Sequence, residues 1–406
     1  MKIALLIIIY LIFISLGLPD SFIGSCWPTI SEYFAISRDL QGLFSLIVSL
    51  FTITSSFLTV KLTKYLKNYG VIVISIALTV SGLIIIGFSN NYYILLLAAI
   101  PLGFGAGAID SILNSYVALH YKAIHLNFLH AFWGIGAFIS PLIIGSFIVD
   151  PNGFKDAAFA LSIIQTIILI ITLSTIFLWI KVNKLNDLNK RNNDQINENN
   201  RENIGFFNTF KIRGVLIACL TFFCYIAIES LAYSWFTSMC VFGMNIEEDV
   251  ASKYLSLFYI AISLGRVISG LLSIKIKDKN LIRIGEGILL SGIILLTFKF
   301  NFVFMPIALF VIGLGCGPIY PSIVHSTVDR FTNKYSNAVM SIQIGFAYMA
   351  NISIAPLFGI LGNATTFLIL PYVMLFFFIL LASGNELVLK LTKDKSKLEK
   401  KLEIPN

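Results

Sequence analysis

Three carboxylates, Asp20, Asp110 and Glu229, stand in stretches otherwise too apolar to carry charge. An ionised side chain held in hydrocarbon costs several kcal/mol, so each must face water, a partner or a ligand. Burial in a medium of low dielectric favours the neutral form of a carboxyl group, which lets such a group load and release a proton near physiological pH. The chemistry open to these three residues is therefore proton binding coupled to movement of a second solute. A structural acid hydrogen-bonded to a neighbouring helix is the plain alternative for each.

Other polar residues accompany them. Asp110 and Asn114 are spaced i, i+4 on one helix face with Ser111 adjacent, and Asn127, His130 and Gly134 follow an i, i+3, i+7 stripe. Gln343 and Asn351 are i, i+8, and Tyr320 stands where a second copy of the Asp110 segment would place its acid. Amides and carboxylates accept and donate to hydroxyls together, which suits a neutral polyol such as a sugar. Trp235 or Tyr233 would stack on the apolar face of a sugar, or simply pack against neighbours. His130 reads equally as a proton relay or a hydrogen-bonded structural histidine. His120 and His125 read as solvated residues flanking a loop.

Nothing in the chain points to catalysis. No phosphate loop or nucleophile–base pairing stands out, and Gly103, Gly105 and Gly107 follow no strand, so they allow close helix contact rather than hold a nucleotide. Cys26, Cys219, Cys224, Cys240 and Cys316 lack metal-ligand spacing and read as packing residues. The expectation is no metal, no cofactor and no enzyme.

The elements that must position these residues are set by composition. Of 406 residues, 57% are hydrophobic and 12% charged, with 35 Phe; an ordinary soluble domain carries about 25% charged residues. Apolar runs of spanning length fall near 3–30, 40–60, 70–89, 92–119, 127–149, 157–181, 213–242, 251–274, 281–300, 302–327, 336–360 and 364–389, twelve in all. The first run resembles a signal peptide, but no small-x-small cleavage site follows, so it reads as a retained span. A polar stretch rich in Asn and Lys divides the runs six and six. The expected organisation is a first six-helix half at 1–181, a cytoplasmic linker at 182–212, a second half at 213–390 and a cytoplasmic tail at 391–406.

The net charge of +8 does not mark a nucleic-acid surface, because the basic residues are dispersed in short loops. One side receives Lys2, Lys61, Lys64, Lys67, Lys122, Lys181 to Arg213, Lys275, Lys277, Lys279, Arg283, Arg330, Lys334 and the tail beyond Lys390; the other receives Arg38, Lys155, Lys253 and Lys299. That asymmetry places both termini in the cytoplasm and the chain in the cell membrane. Arg266 lies within a span. The partners expected are lipid, protons and a small solute, with a monomeric protein.

The halves resemble each other. "GFGAGAID" at 103–110 aligns with "GLGCGPIY" at 313–320, an offset of 210, and "SFLTVKL" at 56–62 with "GLLSIKI" at 270–276, an offset of 214. "SPLIIG" at 140–145 aligns with "APLFGI" at 355–360, an offset of 215. A tandem duplication of six helices implies an all-α membrane fold of twelve helices in two pseudo-two-fold halves around a cavity. Helices 1, 4, 7 and 10 then line the cavity, carrying Asp20, Asp110, Glu229 and Tyr320.

The segments "GLPDSFIGSCWP", "IDSILNSYVALHY", "HLNFLHAFWGIGAFISPLIIG" and "GLGCGPIYPSI" resemble the fucose–proton symporter branch of the major facilitator superfamily. The resemblance implies proton-driven uptake of a monosaccharide by alternating access. It also implies coupling and recognition roles for Asp20 and Asp110, with Asn114 and Tyr116 matching the family pattern. The family's loop signature between helices 2 and 3 is degenerate here as "TVKLTKYLKNYG", lacking its Asp. Its second-half counterpart "GRVISGLLSIKIKDKN" keeps Arg266, expected to meet a helix end or carboxylate near the cytoplasmic gate. An exporter of hydrophobic compounds on the same fold is the alternative, favoured by the abundant Phe.

Overall fold

A bilayer offers no partner for backbone N–H and C=O groups, so a chain this apolar must satisfy them within helices. The computed structural model describes residues 2–121, 124–182, 209–298 and 304–393. Among them are twelve helices long and apolar enough to cross a membrane. Spans 1 to 6 are Lys2–Tyr33, Leu40–Thr59, Lys61–Gly87, Tyr92–Val117, Phe128–Phe147 and Gly153–Ser174. Spans 7 to 12 are Val215–Gly243, Glu248–Leu272, Asp278–Thr297, Phe304–Phe331, Ala338–Ala364 and Phe367–Leu391. Most of the expected linker and tail lies outside the described residues.

Span 1 is broken where its chemistry sits. It comprises helical segments Lys2–Asp20 and Phe22–Tyr33, with Pro19 beside the junction. Cys26 leaves helical geometry at φ −124° and ψ 15°, two residues ahead of Pro28. Proline lacks an N–H and its ring crowds the carbonyl four residues back, so a helix containing it bends. Asp20 is thereby the last residue of a helical segment in mid-span.

The two glycine triplets do the same structural work in each set of six spans. A Cβ on Gly103 or Gly107 would lie 2.4 Å and 2.0 Å from the carbonyls of Val48 and Thr52 in span 2, and one on Gly105 2.6 Å from Ser75 O in span 3. Likewise a Cβ on Gly313 would lie 2.4 Å from Phe258 O of span 8, one on Gly315 2.4 Å from Leu289 N of span 9, and one on Gly317 2.6 Å from Gly265 of span 8. Close approach of helices through small residues supplies packing where hydrophobic force is absent. Asp110 and Tyr320 each follow their triplet by three residues, so the same contacts fix both side chains.

Each set of six spans keeps its own apolar cores. Spans 1 to 6 hold one around Leu18, Trp27 and Phe154 and another around Phe13, Ile72 and Leu113. The largest core of spans 7 to 12, around Phe222, Trp235 and Phe258, takes in Ala137 of span 5. The five cysteines are buried and free.

The sets meet chiefly on the side of the loop between spans 1 and 2. There Thr29 Oγ1 donates to Glu248 Oε2 at 2.6 Å and Ser252 Oγ to Pro141 O at 3.0 Å. Asn363 Nδ2 reaches Ser37 Oγ at 3.1 Å and Asp39 Oδ1 at 3.2 Å. The Arg38 guanidinium lies 3.9 Å from the centre of the Phe242 ring. On the opposite side, the polar contacts among the described residues include strong ones within one set. Arg283 grips Glu386 through two bonds of 2.7 and 2.8 Å, and Asn385 Nδ2 donates to the buried Glu286 at 2.6 Å.

Within spans 1 to 6, a Cβ on Gly136 of span 5 would lie 2.0 Å from Ile14 O of span 1. Overpacking such a contact costs about 1–3 kcal/mol. Gly136→Val is expected to lower the melting temperature in detergent. Gly287→Val, where nothing lies within 4 Å, should leave it unchanged.

Candidate functional site

The mid-span charges converge on one centre. Asp20 remains solvent-accessible despite its depth, and its Oδ2 accepts a 2.7 Å hydrogen bond from Trp133 Nε1 of span 5. It lies within electrostatic reach of Asp110, Tyr233 and Tyr259, from spans 4, 7 and 8. A residue ringed by four other spans yet open to water borders an internal cleft, not lipid.

Asp110 is half-buried on span 4. Asn114, one turn along, donates from Nδ2 to Asp110 Oδ1 at 2.9 Å and to its backbone carbonyl at 3.0 Å. The amide oxygen of Asn114 is thereby aimed away from Asp110, so the pair offers one carboxylate edge and one amide acceptor to the cleft.

Glu229 of span 7 forms an ion pair with Arg266 of span 8, Nη2 to Oε1 at 3.4 Å. The side chains are only 11% and 12% exposed. The Arg266 guanidinium also lies 5.4 Å from the centre of the Trp133 ring and 5.8 Å from that of Tyr320, within cation–π range of both. It is electrostatically coupled to Asp110 across the cleft. Among the described residues, Glu229 Oε2 and Arg266 Nε lack a partner in hydrogen-bond geometry, and the Tyr225 hydroxyl stands close to Glu229.

Arg266 was expected to meet a helix end or a carboxylate near the cytoplasmic gate; it meets a carboxylate, Glu229 of span 7, and lies between side chains of spans 5, 7 and 10. It and Trp133 were missed as site residues. The signal for Arg266 was its isolation as a cation in a span; Trp133 had only its place beside His130 and Gly134.

The remaining candidates divide. Tyr320 packs on Phe222 at 5.1 Å between ring centres and faces Arg266. Asn351 Oδ1 accepts from Tyr233 at 3.2 Å, joining span 11 to the region of Glu229. His130 is half-buried, edge-on to Phe13 at 5.9 Å, and within electrostatic reach of Arg266. Trp235 goes elsewhere. It is fully buried, stacks on Phe367 at 5.4 Å and donates to Ala355 O at 3.0 Å. Gln343 is also withdrawn, its Oε1 accepting from Thr327 at 2.9 Å between spans 10 and 11. The side chain of Asn127 lies outside the described residues. His120 and His125 are half-buried, and each also has a protein partner: His120 Nδ1 lies 2.9 Å from Tyr116 O, and His125 Nδ1 2.8 Å from the Tyr10 hydroxyl. Among the described residues no group of His, Cys, Asp and Glu is arranged to hold a metal.

A family model for the Major Facilitator Superfamily matches residues 9–286 and 244–403. The chain belongs to that superfamily. Membership makes it a multi-pass membrane transporter rather than an enzyme. The chain is similar to the glucose/mannose transporter GlcP of Bacillus subtilis, 23% identical over 89% of this chain and 88% of that protein. It is similar too to bypass of stop codon protein 6 of Saccharomyces cerevisiae, 23% identical over 77% of this chain and 67% of that protein. In solved structures, a D-xylose–proton symporter superposes with a TM-score of 0.74 at 13% identity, covering 96% of this chain and 98% of that one, which shows the shared fold.

Within this superfamily member, Glu229 and Arg266 should behave as a unit. Removing one partner of a buried pair leaves an uncompensated charge and costs about 3 kcal/mol or more. Glu229→Gln and Arg266→Met are each expected to lower thermal stability more than the double variant does, as measured by melting of the purified proteins.

Proposed function

We propose that this protein is a secondary active transporter that imports a small polar solute, a monosaccharide, by proton-coupled symport with alternating access in the cell membrane. The observation that carries this reading is the placement of Asp20 and Asp110 at one water-accessible centre, where among the described residues each carboxylate is held by one hydrogen-bond donor and neither by a salt bridge. A carboxylate so placed exchanges protons with water more readily than one locked to a cation. Glu229 already has Arg266 as counter-ion, so its part in coupling is through that pair.

Asp110, Asn114, Tyr320, Asn351 and His130 supply donors and acceptors to the solute, and Trp133 offers a ring face. Trp235 and Gln343 hold spans together instead. Similarity to a glucose/mannose transporter supports a sugar as cargo. The two sets of six spans, 1–181 and 213–390, rock about the central site in a monomer with both termini cytoplasmic. With the side of the loop between spans 1 and 2 taken as external, the sealed face is the outer one, and the site communicates with the cytoplasm.

The aromatic groups near Arg266, Trp133, Tyr225 and Tyr320, with Tyr233 and Tyr259 near Asp20 and Glu229, favour a second reading, export of an apolar compound. Cells expressing the protein separate the two, since an exporter confers resistance to such compounds and a symporter accumulates sugar.

In proteoliposomes with an imposed inward proton gradient, hexose uptake should exceed that without a gradient. Asp20→Asn and Asp110→Asn should each cut gradient-driven accumulation at least about tenfold. Uptake that is normal in both variants, or driven by sodium alone, contradicts the mechanism.

A further inference from the structure

Gln41 opens span 2 and is only 1% exposed. Its side-chain Nε2 donates to the Ser234 carbonyl of span 7, and its Oε1 accepts from Ser238 Oγ one turn further on, at 3.5 Å. Both polar atoms of a buried primary amide of the first six spans thus find a partner on one helix of the second six. Leaving a buried polar group unpaired is costly, so the amide stays dry only while the two sets are pressed together. When they part, both bonds break at once and water takes their place.

The surroundings fit a joint made to open. Span 1 rests directly on span 7, since a Cβ on Gly24 would lie 2.2 Å from Tyr233 O. Tyr233 precedes the residue whose carbonyl Gln41 holds, and its own hydroxyl bonds Asn351 at the central site. A solute that draws on Asn351 or Tyr233 therefore acts on the segment of span 7 to which Gln41 is fastened. Gln165 makes an instructive contrast. It is fully buried and its Nε2 donates to Ser15 O, but both residues belong to the first six spans, so movement between the sets leaves that bond intact.

We infer that Gln41 is the bolt of the sealed side: its two bonds to span 7 set the balance between closed and open forms and link that balance to occupancy of the site. The inference rests on alternating access in the proposed function but on neither the identity of the solute nor proton coupling. The polar bond pair makes the seal reversible, because water can replace each partner as it is lost.

The test is the distance between spin labels at Asn90→Cys and Ala364→Cys, exposed positions at the sealed side, one on each set of spans. The five native cysteines are buried, which keeps labelling at the two introduced sites. Electron–electron resonance in nanodiscs, without solute or gradient, should show Gln41→Ala raising the long-distance population about tenfold. Gln41→Leu keeps the side-chain bulk and should do the same, which separates loss of the bonds from a packing defect. Gln165→Ala should lower the melting temperature yet leave the distances as in the parent. Parent-like distances in both Gln41 variants, or an equal shift in Gln165→Ala, would overturn the inference. Because distances are read without transport, failure of the symport reading would appear in uptake assays and not here.

Discussion

The low dielectric of the membrane interior governs where this chain can put its charges. Four ionisable side chains, Asp20, Asp110, Glu229 and Arg266, lie deep in spans and all turn to one centre rather than to lipid. Arg266 is the hinge of that arrangement. Its pairing with Glu229 neutralises one acid, its position over Trp133 and Tyr320 spreads the remaining charge over two ring faces, and its field reaches Asp110. Since Trp133 in turn holds Asp20, the four charges form one connected set spanning both groups of six helices. The field of Arg266, lodged in the opposite set, reaches Asp110 directly and Asp20 only by way of Trp133.

The alternating access proposed above asks a scaffold to hold that centre firmly yet allow the sets to move. The glycine triplets in spans 4 and 10 pin those helices against their own neighbours, so Asp110 and Tyr320 move with rigid groups. Joints between the sets are of another kind. Among the described residues they include hydrogen bonds such as those of Thr29, Ser252, Asn363 and Gln41, close glycine contacts, the Arg38–Phe242 stacking and the packing of Ala137 and Trp133 on the second core. Strong pairs such as Arg283–Glu386 lie inside one set, where no motion need break them.

Much of this was legible in the chain because hydropathy and the cost of charge are local properties. Ten of the twelve runs fall within four residues of the observed spans, the third span starting nine residues before its run, at Lys61, and the sixth ending seven before, at Ser174; the offset of 210 between glycine triplets corresponds to matching contacts in the structure. What a sequence hides is which face of a helix meets which neighbour. Successive residues turn by about 100°, so Tyr233 stays near the face of Glu229 while Trp235 points well away, into the core. Gln343 and Asn351 diverge by about 80° on the same count, enough to send one between helices and the other to Tyr233. The partners of Arg266 and Gln41 come from remote spans, and no spacing along the chain announces them.

The central claim is that solute and proton move together through this one set of charges. The most direct measurement is the pH of a lightly buffered suspension of de-energised cells expressing the protein, recorded as a hexose is added. The account predicts a prompt alkalinisation of the medium, absent when an uncoupler lets protons re-equilibrate freely across the membrane. Hexose entry with no accompanying change in external pH would contradict it.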